Sequence, residues 1–292
     1  MMLYIRIVGW ESHGLSSTMK HRRRSGYIIM WKNNAVMNYD LSDILDRPLE
    51  SFITRQELEP NIWNPYEGGY RLDPGVRSKI IDATKHFIKL LGLGKMGMPS
   101  IPINDIVFTG SLANYNWSEY SDIDVHIIVD LSNINPDYLE LIQSYFHLIK
   151  KKFDDEHNIT IHGYEVEMYM EDSATGHIAT GVYSIKNDQW VKIPTPGHIK
   201  PDLPAIRRKA GAYMSTIDML ERSMLHPGAD IQKLHILAKD TWDRIKELRR
   251  AGLSQEGESS TENLAFKLLR RNGYIGKLID VKTKLIDRKL SL

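Results

Sequence analysis

Cysteine is absent from the 292 residues. That excludes a disulfide-stapled scaffold and thiolate zinc sites, and it suits a reducing cytoplasm, the compartment expected. Long apolar runs are missing as well. None approaches the ~20 residues that a membrane-spanning helix requires, so no membrane partner is expected. The opening MMLYIRIVGWESHG has no basic leader ahead of a long apolar core and is not expected to act as a signal peptide. The 11 histidines show no H-E-x-x-H or other paired-ligand spacing. Internal repeats and low-complexity tracts are lacking, and the formal net charge is only +1. What remains is ordinary for a globular protein, 42% hydrophobic and 26% charged, and long enough for two domains or one with a large appendage.

The small net charge hides an asymmetry. From residue 203 onward there are 18 Lys and Arg against 11 Asp and Glu, a balance of +7, and the earlier residues carry 20 against 26, or −6. An acidic first part with a basic tail suits an anionic polymeric substrate; a solvated helical surface accounts for the same counts.

The chemistry concentrates in DIVFTGSLANYNWSEYSDIDVHIIVD, residues 105–130. The apolar run Ile106–Phe108 stops at Thr109-Gly110-Ser111, and ten residues later Asp122 and Asp124 lead into the apolar run Val125–Val129. Residues i and i+2 of a strand share a face, so the two carboxylates project together. They repel unless a cation lies between them, and an all-oxygen site suits a hard ion such as Mg2+. Gly110 lets the backbone approach a phosphate closely, and Ser111 adds a hydroxyl and an amide donor. His126 follows Asp124 by two and is placed on the same side.

Gly110-Ser111, ten residues and Asp122-Ile123-Asp124 together resemble the signature of the DNA polymerase beta nucleotidyltransferase superfamily. The resemblance covers residues 101–193. It implies an α+β fold, a polymerase-beta-type core of mixed sheet with helices packed on it, followed by a helical C-terminal domain. It implies that Gly110 and Ser111 hold a nucleoside triphosphate and that Asp122 and Asp124 bind two Mg2+ ions, with Mn2+ as a substitute. A third carboxylate is expected on a neighbouring strand, where it joins the metal site and takes a proton from the attacking hydroxyl. Glu167, between Val166 and Met168, is the choice, and Glu165 the alternative on the same face. The activity implied is transfer of a nucleoside monophosphate to an acceptor hydroxyl, with release of pyrophosphate. The acceptor is left open among an RNA, DNA or tRNA end, a small molecule and a protein side chain, with a lean to nucleic acid from the basic tail. The wording of the tract is also similar to nucleotidyltransferases of tailed-phage genomes, which implies the cytoplasm of a bacterial host. Two other readings stand beside this one: a catalytically silent module that binds nucleotide or nucleic acid, and a toxin-type nucleotidyltransferase acting on tRNA or protein.

Around the motif, residues 1–65 are expected to form an N-terminal extension with strands at Leu3–Val8 and Tyr27–Trp31. The basic cluster His21–Arg24 lies between them as a solvated loop. Residues 66–200 form the motif-bearing domain and 201–292 the helical one. Residues 41–72 are read as a connector in which LSDILDRPLE forms one or two helical turns and ELEPNIWNPYEGGY is rich in turn residues. Asp73-Pro74 starts a helix with its apolar face on Val76, Ile80, Thr84, Phe87, Ile88 and Leu91. The glycine-rich LGLGKMGMPS is a loop. Asn135-Pro136 caps a second helix whose stripe is Tyr138, Ile142, Tyr145, Phe146, Ile149 and Phe153. ITIHGYEVEMYME alternates as a single strand, and Asn187-Asp188 turns a hairpin. Helices are expected at about 203–225, 229–250 and 261–291, separated by Pro227-Gly228 and by the polar stretch Gly252–Thr261. In the last, Leu264, Leu268, Leu269, Ile275, Leu278 and Ile279 would face a bundle, and Lys267, Arg270, Arg271, Lys277, Lys282 and Lys284 would lie elsewhere.

Overall fold

The computed structural model describes residues 48–92, 101–175, 179–197 and 200–291. The expected strands at Leu3–Val8 and Tyr27–Trp31, the cluster His21–Arg24 and most of LGLGKMGMPS lie outside these residues. The described residues begin in a helical turn at 48–50, within the tract expected to form one or two such turns, and a two-stranded hairpin follows, β1 (Trp63–Tyr66) and β2 (Gly69–Leu72). Asp73 then accepts hydrogen bonds from the amides of Gly75 and Val76 and opens helix α1 (Pro74–Leu91), with proline in the first turn where no helical hydrogen bond is lost. Gly92, left-handed at φ 61°, closes it.

The chain next builds a six-stranded sheet from β3 (Ile103–Thr109), β4 (Ile123–Val129), β5 (Thr160–Ile161), β6 (Tyr164–Asp172), β7 (Val182–Ser184) and β8 (Gln189–Lys192), in the order β5-β6-β4-β3-β7-β8. Only β4 and β6 run parallel, and the helix between them, α2 (Pro136–Glu156), is their crossover. Alternation in β4 is strict: Ile123, Val125, Ile127 and Val129 are fully buried, and the residues between them are only partly buried. The buried face joins Ile80 and Phe87 of α1 and Phe146 and Phe153 of α2 in one core. The fold is therefore α+β, a mixed sheet with helices followed by a C-terminal four-helix region.

Several elements differ from the sequence expectations. The supposed connector holds the β1–β2 hairpin, because Trp63 is a core residue. It is completely buried, stacks on Phe108 at 5.5 Å and Trp190 at 4.6 Å, and donates its indole N–H to Leu112 O at 2.7 Å. Burial of that size is worth about 3–5 kcal/mol against alanine. The tract 160–172 is two strands, because His162 (φ 51°) and Gly163 (φ 89°) turn the backbone between them. Tyr138 is 57% exposed and drops out of the α2 stripe.

The helical region comprises α3 (Leu203–Leu225), α4 (Ile231–Gln255), α5 (Thr261–Arg271) and α6 (Tyr274–Leu290). Gly252 does not end α4. A Cβ there would lie 2.6 Å from Ser260 Oγ and from Glu262 Cβ, so the bare glycine is what lets the start of α5 pack against the helix. The single last helix expected from the sequence is two, broken at Gly273 in the left-handed conformation (φ 77°). Ile279 accordingly faces outward, 44% exposed, while Leu264, Leu268, Leu269, Ile275 and Leu278 are buried. Among the described residues no helix is long and apolar enough to cross a membrane.

Candidate functional site

The site forms where β3, β4 and β6 end side by side. The face of β4 opposite the core carries Asp124 and His126. The parallel register sets Asp124 opposite Glu167 and His126 opposite Tyr169, and on the other side Asp124 stands opposite Thr109, the last residue of β3. Gly110 follows at φ 79° and ψ −163°, a conformation essentially reserved for glycine. Space gives a second reason: a Cβ on Gly110 would meet Asp124 Oδ2 at 2.0 Å. The Gly110-Ser111 turn thus packs its bare Cα against the Asp124 carboxylate. Trp63 supports it from below through Leu112 O, and the Ser111 hydroxyl donates to Ser121 Oγ at 2.7 Å, which ties the turn to the segment that delivers Asp122.

Charge is unbalanced at Asp124. Burial, then Glu167, then Asp122 push its carboxyl up to about 7. Glu167 goes the other way. Burial pushes it up, but the Tyr169 hydroxyl that donates to Oε2 outweighs this together with Lys150 and Arg270, and holds its carboxyl below the usual range. Tyr169 is itself desolvated beside Glu167 and stays protonated well above the ordinary phenol range. Glu165 lies on the same face but is exposed and paired with Thr160 of the edge strand β5.

The other wall comes from the helical region. Arg270 of α5 reaches Asp122 at 3.5 Å. Arg271 crosses between the two parts: it donates to Pro48 O at 3.2 Å, to Ser51 Oγ and to Ser118 Oγ at 3.3 Å, and lies over the rings of Phe52 and Tyr120. Burial and Arg270 draw its pKa down to about 10. Lys267, one turn earlier, lines a small cleft with Ser111, Asn116, Glu258 and Arg271. Its ammonium is desolvated, which lowers its pKa, and among the described residues it has no hydrogen bond or ion pair. Asn116 donates to Glu258 Oε2 at 3.1 Å, while its own Oδ1 is buried without a hydrogen-bond partner among the described residues.

Sequence reasoning assigned Gly110, Ser111, Asp122, Asp124 and Glu167 to one site, and the fold brings them to one end of the sheet. It placed Lys267, Arg270 and Arg271 off the apolar stripe, as a nucleic-acid grip or an ordinary charged face; in the fold Arg270 reaches Asp122, and Lys267 and Arg271 line the cleft beside Ser111. Lys277 is instead held by Asp218 at 2.7 Å and Glu221 at 2.6 Å, and Lys282 lies over Trp242. Lys150, Ser121 and Trp63 were not singled out for the site. Trp63 alone carried a signal, as a large aromatic beside turn residues. Among the described residues no three His, Cys, Asp or Glu side chains converge as a formed metal cage. Asp122 is turned to Arg270, and Glu167 is engaged through Oε2. The donor set is nonetheless all carboxylate, and the uncompensated charge at Asp124 is what a hard divalent cation relieves. The residues fit such an ion once Asp122 parts from Arg270.

Comparison of the chain with protein-family models, curated proteins and solved structures returned no match.

Proposed function

We propose that this protein is a Mg2+-dependent nucleotidyltransferase that moves a nucleoside monophosphate from a nucleoside triphosphate to an acceptor hydroxyl and releases pyrophosphate. One observation carries the reading: the Asp124 carboxylate, set opposite Glu167 in the sheet, packs against the Gly110-Ser111 turn, and the desolvated Lys267 lines the cleft beside Ser111. The desolvated ammonium is offset only in part by Glu258, and an anion in the cleft would relieve it further. Phosphate oxygens at Ser111 would do so, with Lys267 and Arg270 as the cationic side of the cradle.

Asp122, Asp124 and Glu167 would hold the divalent ions, which when bound stabilise charge on the attacking and leaving oxygens. Arg270 neutralises Asp122 in the resting chain and becomes available to phosphate when Asp122 turns away. Glu167, held ionised by Tyr169 and Lys150, is suited to bind and orient more than to take up a proton.

A second reading, a module that binds nucleotide without turning it over, draws on that same Arg270–Asp122 pair and on the lack of a formed cage. Titration calorimetry with ATP, GTP, CTP and UTP, with Mg2+ or EDTA, combined with a pyrophosphate-release assay, separates the two. Mg2+-dependent binding with pyrophosphate release, both lost in Asp122→Ala, is the expected result. Binding without release selects the silent module. No binding of any nucleotide removes both readings.

A further inference from the structure

Both contacts that Glu167 makes fall on the same oxygen. The Tyr169 hydroxyl donates to Oε2, and Lys150 Nζ lies 3.6 Å from Oε2, so Oε1 is left unengaged among the described residues. The two partners come from different places: Tyr169 is two residues along the same face of β6, and Lys150 reaches over from α2. We propose that Tyr169 and Lys150 are positioning residues that pin Glu167 through Oε2, so that Oε1 alone is presented beside Asp124.

A tyrosine two positions along a strand reaches its neighbour's carboxylate only if its ring lies along the strand. Here the ring is fixed in that attitude. His126, opposite it in the β4–β6 register, stacks on it at 4.7 Å with planes 19° apart. Lys150 Nζ sits 4.3 Å from its ring centroid. Each support is tied down in turn: His126 Nδ1 is 2.9 Å from Glu171 Oε2, and Lys150 donates to Asp154 at 2.8 Å. Free rotation of the Glu167 carboxylate would offer either oxygen or both, and this network removes that freedom before any ligand arrives. Outer partners of this kind commonly change metal affinity or activity by about 10–100-fold when removed.

The inference rests on the nucleotidyltransferase reading, and its test separates the two. Mn2+ binding, followed by electron paramagnetic resonance of the free ion, and steady-state turnover are measured for the wild type, Tyr169→Phe and Lys150→Met. Tyr169→Phe keeps the ring and its stacking and removes only the donor. The expected result is Mn2+ affinity and kcat each down about tenfold, the nucleotide KM unchanged, and the thermal midpoint within a few degrees of wild type. Lys150→Met should act in the same direction. A wild-type chain that binds Mn2+ and turns over, with both variants equal to it, overturns the positioning role alone. Variants that lose stability but keep Mn2+ affinity and kcat overturn it in favour of a structural role. A wild type that neither binds Mn2+ nor turns over removes the nucleotidyltransferase reading and this inference with it.

Discussion

Gly110 and Asp124 share a space that admits only one side chain: a methyl group on Gly110 would sit 2.0 Å from Asp124 Oδ2. Gly110→Ala therefore has two costs. The backbone conformation alone costs about 1–3 kcal/mol for a residue with a Cβ, and relief of the clash must push the Asp124 carboxylate out of line with Glu167. Urea denaturation should show a loss of at least that size. Divalent-ion binding should fall with it, even under conditions where the variant is fully folded. A folded Gly110→Ala chain with unchanged ion affinity would sink the close-packing account of the turn.

Asp124 sets a pH dependence whose sign is fixed by the direction of its shift. Its folded pKa of about 7 lies above the ordinary 3.8, so the folded chain holds this proton more tightly than the unfolded chain does. The group imposes no penalty below about pH 4, where both states are protonated. The penalty grows as pH rises and is fully present above about pH 7. Asp124→Asn removes it, so the variant should be more stable than wild type at pH 8, by at most roughly 4 kcal/mol, and the gap should close toward pH 4. Millimolar Mg2+ should stabilise the wild type at pH 8 and leave the variant unmoved. Thermal melts from pH 4 to 8, with and without Mg2+, read both effects.

The legible parts of this chain were those where local periodicity agreed with the tertiary outcome. The strict alternation of β4, the Asp73-Pro74 and Asn135-Pro136 helix starts and the i, i+2 aspartates needed no long-range information. Trp63 escaped because its surroundings read as turns, and only Phe108 and Trp190, distant in sequence, make it core. Gly252 and Gly273 misled in opposite senses. One is helical because a neighbouring segment needs its missing side chain, and the other breaks what periodicity alone would continue. The cationic wall was visible only as composition, since which face of α5 meets the sheet is decided by packing between the two halves.

Arg271 joins those halves. Its guanidinium donates to Pro48 O, Ser51 and Ser118 while lying over Phe52 and Tyr120, so planar geometry and several donors are used at once. Arg271→Lys keeps the charge and loses the fork and the stacking, and should not rescue Arg271→Ala. Each is expected to cost about 2–4 kcal/mol, because acceptors now satisfied would be left without a partner. Chemical denaturation of both variants gives the comparison. A lysine variant as stable as wild type would show that charge alone suffices.

Lys267 offers the sharpest separation between a structural and a ligand-binding role, because the two predict opposite signs. A lysine that held the fold together would be engaged by a neighbour, and its removal would destabilise the chain. Among the described residues this ammonium makes no hydrogen bond or ion pair; it is desolvated, the nearby Glu258 carboxylate offsets this only in part, and Arg271, Arg270 and Arg249 add like charge around it. Lys267→Met keeps most of the aliphatic stem and removes the unpaired charge, so the ligand-free variant should be more stable than wild type by about 1–2 kcal/mol. If phosphate oxygens are the missing counter-charge, the same variant should bind nucleoside triphosphate at least tenfold more weakly, a loss of about 1.4 kcal/mol or more. Inorganic triphosphate should raise the wild-type melting temperature more than that of the variant, since the contact concerns the phosphate chain and not the base. Melting curves and calorimetry on the same two proteins decide the matter. A more stable chain with weakened triphosphate binding marks a cation kept for its ligand. A less stable chain with binding intact would place Lys267 in the architecture of α5.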